Sequence, residues 1–278
     1  MTDAICWASP ATDEETTMVG KLLMRGMLAG LIAGLLAFCF ARVAGEPQVE
    51  RAIAFEAHEA HEHAHAGDAP EPEIVSREMQ AGVGLLTGVL AYGAAFGGLF
   101  ALCFAYAWGR AGSMGARPLA AWLALAAFAA LVVLPALKYP ANPPSVGAAE
   151  TIGVRTALYF LCMGISVAIT LLSIALRQAL SRKWGDANAT LAGLLAFAIM
   201  AAAMLALLPA IDEVPAEFPA TLLWQFRVAS IGMQAIIWTV IGAAFGVAAE
   251  RMALPGAARV HRGMPMSKSV LRGSGYPR

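Results

Sequence analysis

Six apolar runs alternate with short polar segments along the chain: 22–40, 81–109, 118–137, 156–176, 187–211 and 228–249. A bilayer-spanning helix needs about 20 mostly apolar residues, and each run reaches or approaches that length. The first is marked only by Arg25 near its start, and the other five contain no Asp, Glu, Lys, Arg or His. The run 81–109 is long enough to tilt. Backbone in lipid must satisfy its own hydrogen bonds, so Ala/Leu-rich runs of this kind read as helices. The expected fold is all-α: a polytopic membrane helical bundle of about six transmembrane helices.

Composition narrows the class further. Hydrophobic residues make up 59% of the 278, charged residues only 14%, and mean hydropathy is +0.66. Soluble proteins carry about 25% charged residues. Lys+Arg and Asp+Glu are both 19, so the net charge is zero. A soluble globular enzyme, a disordered chain and a basic nucleic-acid binder are all excluded. With the N-terminus cytoplasmic, 13 of the 19 Lys/Arg fall inside and 6 outside. This split favours both termini cytoplasmic. The tail supplies most of the margin, and without it the count is 7 to 6.

The expected organisation has three parts. Residues 1–17 are a polar N-terminal extension, and Met18-Val19-Gly20-Lys21 is a natural start of translation. Residues 18–250 are the transmembrane bundle, with a His/Glu-rich outer loop at 42–80. Residues 251–278, rich in Arg, Gly and Pro, are a disordered cytoplasmic tail. The first run is too long for a signal peptide, and no A-x-A-like cleavage site follows it. Gly26, Gly30 and Gly34 recur every four residues, as do Gly84/Gly88, Gly93/Gly97 and Gly242/Gly246. Such spacing lets helix backbones approach closely in lipid, within the chain or against a partner. Cys39, Cys103 and Cys162 fall inside the runs. They read as small packing residues; Cys39 and Cys162, with Met163 nearby, stay open as a soft-metal pair.

Chemistry concentrates in the outer segments. Residues 56–65 read Glu-Ala-His-Glu-Ala-His-Glu-His-Ala-His, which holds four of the five histidines. Imidazole and carboxylate together suit divalent transition metals. Ala and Glu favour helix here, which would put His58, His61 and His65 on one face. His58, His61, His63 and His65, with Glu59 and Glu62, are the candidate metal ligands; the alternative is a solvated tract with incidental affinity. His61-Glu62-His63-Ala64-His65 also fits the H-E-x-x-H pattern of zinc proteases. It lies in a repetitive tract just before Gly67 and Pro70, and the other outer segments offer no third histidine. The second outer segment, Lys138-Tyr139-Pro140-Ala141-Asn142-Pro143-Pro144, is stiffened by its prolines. The third brings Asp212, Glu213 and Glu217 together ahead of Trp224 and Arg227. P-loop, hydrolase-elbow and kinase motifs are missing, and no charge sits mid-membrane in the last five runs, so a self-powered pump of familiar kind is disfavoured.

Several blocks in order then carry a resemblance. They are Gly45-Glu46-Pro47 with Val49-Glu50-Arg51-Ala52, and Lys138 to Pro144 with Glu150-Thr151-Ile152-Gly153 and Arg155-Thr156. The last is Pro215-Ala216-Glu217-Phe218-Pro219 with Leu222-Leu223-Trp224 and Arg227. From about Met18 to Glu250 the chain resembles the CbtA family of proposed bacterial cobalt transporter subunits. The resemblance implies no enzymatic activity, cobalt as transported substrate with no organic cofactor, and uptake for cobalamin synthesis across the inner membrane. It also implies a small single-span partner subunit, CbtB. On this reading the histidines collect the ion, and Glu46, Glu50, Asp212, Glu213 and Glu217, with Lys138 and Asn142 shaping the mouth, form an intake site. Tyr92, Ser166, Thr170 and Gln234 are candidate polar contacts along the way. A metal-binding membrane sensor or scaffold without transport, and a nickel or zinc permease, are the rival readings.

Overall fold

The computed structural model describes the backbone of residues 11–63, 75–110, 112 and 114–262. His65 and residues 64–74 of the expected outer loop, the first ten residues and 263–278 lie outside the described residues. Side chains are described from Met18 to His58 and from Val75 to Met252, residues 111 and 113 apart. Glu59, His61, Glu62 and His63 are therefore placed by backbone alone.

The described chain is helical throughout its regular elements. These are α1 (Ala11–Phe40), α2 (Glu46–His63), α3 (Arg77–Met79), α4 (Leu85–Ala107), α5 (Ala116–Phe128), α6 (Leu134–Lys138), α7 (Ile152–Leu207) and α8 (Ala220–Arg262). Wider π-helical turns at Ala41–Gly45, Gln80–Gly84 and Ala129–Val133 join α1 to α2, α3 to α4 and α5 to α6 without leaving the helical path. Two of these turns end two residues before a proline, Pro47 and Pro135. A proline ring clashes with the carbonyl four residues back, and a local π turn moves that carbonyl aside.

Five stretches are long and apolar enough to cross a bilayer: Met18–His58, Arg77–Ala107, Ala116–Lys138, Ala149–Leu207 and Ala220–Met252. The fourth carries two of the six apolar runs. Its 59 residues would extend about 88 Å as one rod, roughly three times the hydrocarbon thickness. Instead it reverses at Gly185, whose φ of 75° and ψ of 164° are open to glycine. Arg177 Nε donates to Thr190 Oγ1 at 3.1 Å, and Gly193 packs on the Ser173 carbonyl. These contacts hold 152–184 and 186–207 as antiparallel arms.

The core lies among α1, α4, α5 and α8. A methyl group on Gly30 would fall on the Gly93 carbonyl oxygen, and one on Gly26 on that of Gly97. The glycine stripes of the first two runs thus face each other. Gly242 and Gly246 seat α8 on Ala124 and Ala120 of α5. Gly88 differs: nothing lies within 4 Å of the space a methyl would take. Phe100, Phe104 and Phe245 interlock edge to face in the buried centre. The α7 hairpin joins through a smaller cluster of Leu134, Cys162, Ile169, Ala201 and Met204. Cys162 is buried there, whereas Cys39 is exposed. Arg25 of α1 donates to the Ala248 carbonyl of α8, so the first part of α1 and the last part of α8 lie at the same end of the bundle.

Two boundaries differ from expectation. The backbone does not leave the helix at residue 42; it continues to His63, because the π turn absorbs Pro47. At the other end the helical backbone of α8 runs past 250 to Arg262, across Pro255 and Gly256, which local propensity alone disfavours in a helix.

Candidate functional site

The end of the bundle away from the Arg25–Ala248 contact is a cap woven from α2, residues 139–151, residues 208–219 and the first turns of α8. Its apolar centre is small. Ala52 of α2 is buried against Val146, Phe218 and Leu222, and the Phe55 and Phe218 rings meet edge to face at 5.2 Å. Ser145 Oγ donates to the Ala52 carbonyl at 3.1 Å. Ser145 does this from a φ of 67°, a left-handed conformation that non-glycine residues adopt at a cost. Arg51 Nη1 donates to Gln48 Oε1 and across to Gln225 Oε1 on α8.

Polar side chains then tie the loops together. Thr151 Oγ1 and the Ala148 N–H donate to Glu213 Oε2 at 2.9 and 3.0 Å, and the Arg155 guanidinium lies 3.3 Å away. The Thr151 hydrogen bond first, then that from Ala148, and then the Arg155 charge hold the Glu213 carboxyl below the usual carboxylate range. Arg155 Nη2 also donates to the Ala148 carbonyl. The guanidinium rests on Gly147, where a side chain would collide with it. Arg227 donates to the Ala141 carbonyl and to Asn142 Oδ1. Lys138 Nζ donates to the Leu205 carbonyl and Tyr139 Oη to that of Pro209, each at 2.8 Å. Glu46 is buried and ion-paired with Arg77, while Arg42 donates to the Ala81 carbonyl.

The expected intake residues divide into two groups. Glu46, Glu213, Lys138 and Asn142 are each engaged by the protein itself, in separate contacts that fasten the cap. Glu50, Asp212 and Glu217 lie exposed. Among the described residues no three His, Cys, Asp or Glu come close enough together to hold a metal ion. The five carboxylates therefore do not form a single preformed cage. Spacing along the chain placed them on one side of the bundle but did not reveal which had an arginine opposite.

His58 is the one histidine of the tract whose side chain is described. It lines an open groove of about 570 Å³ between α2 and the start of α8, together with Arg51, Phe55, Leu222 and Gln225. His61 and His63 follow on the same helix. Of the polar residues within the bundle, Tyr92 Oη and Gln234 Oε1 form a hydrogen bond at 3.3 Å, joining α4 to α8. Ser166 Oγ donates to the Ala130 carbonyl, and Thr170 Oγ1 to that of Ser166. Ala130 lies in a π turn, where a carbonyl is left for an outside donor.

Sequence reasoning gave no fastening role to Arg77, Ser145, Thr151 or Arg155. Arg77, Thr151 and Arg155 are visible in the sequence as polar residues of the outer segments, but their partners are not. Ser145 carried no signal, because its role depends on a left-handed turn. The sequence model of one family, described as the probable cobalt transporter subunit CbtA, matches residues 19–250. No curated protein matches the chain, and no solved structure does.

Proposed function

From the premise that the chain belongs to the CbtA family of probable cobalt transporter subunits, we propose that it admits divalent cobalt from the outer face of a bacterial inner membrane. It is a multi-pass helical membrane protein whose family is described as probable cobalt transporter subunits. The finer reading adds six crossings, with both termini cytoplasmic and the cap outside.

One observation carries the capture role: the His/Glu tract, as far as His63, stands on the helix that crowns the acidic cap. The segments 42–80, 138–155 and 211–227 hold 13 of the 19 Asp/Glu but only 6 of the 19 Lys/Arg. The remainder of the chain holds the inverse. A chain of zero net charge is thus polarised across the bilayer, with its negative side toward incoming cations. Such a field raises the local concentration of a divalent cation and its rate of encounter. Imidazoles at His58, His61, His63 and His65, with Glu59 and Glu62, supply the borderline-soft donors that retain it. Glu50, Asp212 and Glu217 are the carboxylates left to receive it, while Glu46, Glu213, Lys138 and Asn142 keep the mouth in shape. Cobalt is the substrate, destined for cobalamin synthesis, and a CbtB-like single-span subunit completes the transporter.

Cells expressing the chain with that subunit, supplied with limiting cobalt, test the reading by elemental mass spectrometry. Changing the four histidines to Ala is expected to cut accumulation at limiting metal and to change little at high metal. Equal accumulation at limiting cobalt removes the capture role. Metal binding without accumulation, by protein verified in the membrane, moves the assignment to a sensor or scaffold.

A further inference from the structure

The open groove between α2 and the start of α8 has two unlike halves. Phe55, Pro219 and Leu222 make an apolar floor, and Arg51, His58, Thr221 and Gln225 make a polar edge. Its volume of about 570 Å³ matches that of sites for small organic ligands. A bare metal ion needs neither that volume nor a hydrocarbon floor. The floor is held in place from behind, since Leu222 is buried with Ala52 and the Phe55 ring rests against Phe218.

Arg51 sets this edge apart from the rest of the cap. Arg77 and Arg155 are ion-paired with Glu46 and Glu213. Arg42, Lys138 and Arg227 each donate to a backbone carbonyl. Arg51 has neither kind of partner among the described residues. Its Nη1 donates to two neutral amide oxygens, of Gln48 and Gln225, at 3.3 and 3.4 Å. Those distances lie beyond the usual N–H···O range. A guanidinium fork matches a carboxylate, which binds it through two shorter bonds.

Arg51, Phe55 and His58 follow at i, i+4 and i+7, so they line one face of α2. Two helical turns, about 10 Å, separate Arg51 from His58. A carboxylate at the first, a metal on the imidazole of the second and hydrocarbon over Phe55 describe one elongated guest. A free organic anion is repelled by this acidic end of the molecule, whereas the same anion carrying a divalent cation is not.

We propose that the groove binds a divalent metal ion as its complex with a small organic carboxylate, the carboxylate on Arg51 and Gln225 and the metal on His58. The inference rests on the reading of the His/Glu tract as a metal-capturing element.

The test uses the full chain in detergent, with radiolabelled citrate, cobalt chloride and an equimolar mixture of the two as probes. Citrate is expected to be retained about tenfold more with cobalt than without it. Arg51→Gln is expected to lower this cobalt-dependent retention about tenfold, and Arg51→Lys, which keeps the charge but not the fork, to lower it less. Binding of cobalt chloride alone is expected to be unchanged in both. Ala54 is an exposed lining residue, and Ala54→Phe narrows the groove without removing the Arg51 side chain. It is expected to reduce citrate retention to a similar degree. Equal retention with and without cobalt, no retention from the mixture, or retention untouched by Arg51→Gln or by Ala54→Phe each overturns the proposal. If cobalt chloride alone fails to bind while Arg51-dependent retention of the complex persists, the capture reading fails and the groove site stands.

Discussion

Gly30 and Gly93 show how little room separates α1 from α4, since a methyl on either would overlap the carbonyl oxygen of the other. Gly30→Ala is expected to destabilise the bundle by about 1–3 kcal/mol, read as a lower melting temperature in detergent, while Gly88→Ala leaves it unchanged. At the cap, Gly147 has a φ of 112° and lies beneath the Arg155 guanidinium. Gly147→Ala should loosen residues 145–155 and increase proteolysis there. Glu213 gives a pH signature. Its folded carboxyl titrates below its unfolded counterpart, so its contribution is complete above the ordinary carboxylate range. That contribution is lost as pH falls through the lowered value. Glu213→Gln should flatten the acid side of the melting-temperature profile; an unchanged profile would remove Glu213 as a cap fastener.

Among the elements, the α7 hairpin depends most on one residue. Its arms are separated by Gly185 alone, and the polar sequence around it makes an intrahairpin clamp, with Arg177 3.5 Å from Asp186. Gly185→Ala is expected to cost about 1–3 kcal/mol, because its backbone conformation is nearly closed to other residues. The loss should appear first as increased protease cutting near residues 177–190, before global unfolding. Sequence pattern separated the two arms correctly by their apolar content. It did not show that a single glycine makes the turn, since the helix-forming residues on both sides leave no visible loop. The sequence predicted helix over the His/Glu tract but not its continuity with α1: Gly45-Glu46-Pro47 has the composition of a break, and the π turn at 41–45 keeps the chain helical through it.

For the molecule as a whole, the expected polarity can be checked from outside the cell. A single cysteine at Glu217 should react with a membrane-impermeant maleimide in intact cells whose outer membrane is permeabilised, and one at Asp186 should not. The opposite labelling pattern would invert the bundle and place the His tract in the cytoplasm. What the sequence by itself determined is the membrane class, the apolar segments and the glycine stripes. Each of these follows from local composition and periodicity, which burial in lipid converts directly into structure. Tertiary structure decided which stripes touch, how the α7 arms fold together, and which carboxylates the cap itself consumes. Those outcomes depend on pairing between residues far apart in the chain, such as Glu46 with Arg77 and Glu213 with Arg155. A charge written in sequence does not name its partner; proximity in the folded bundle does.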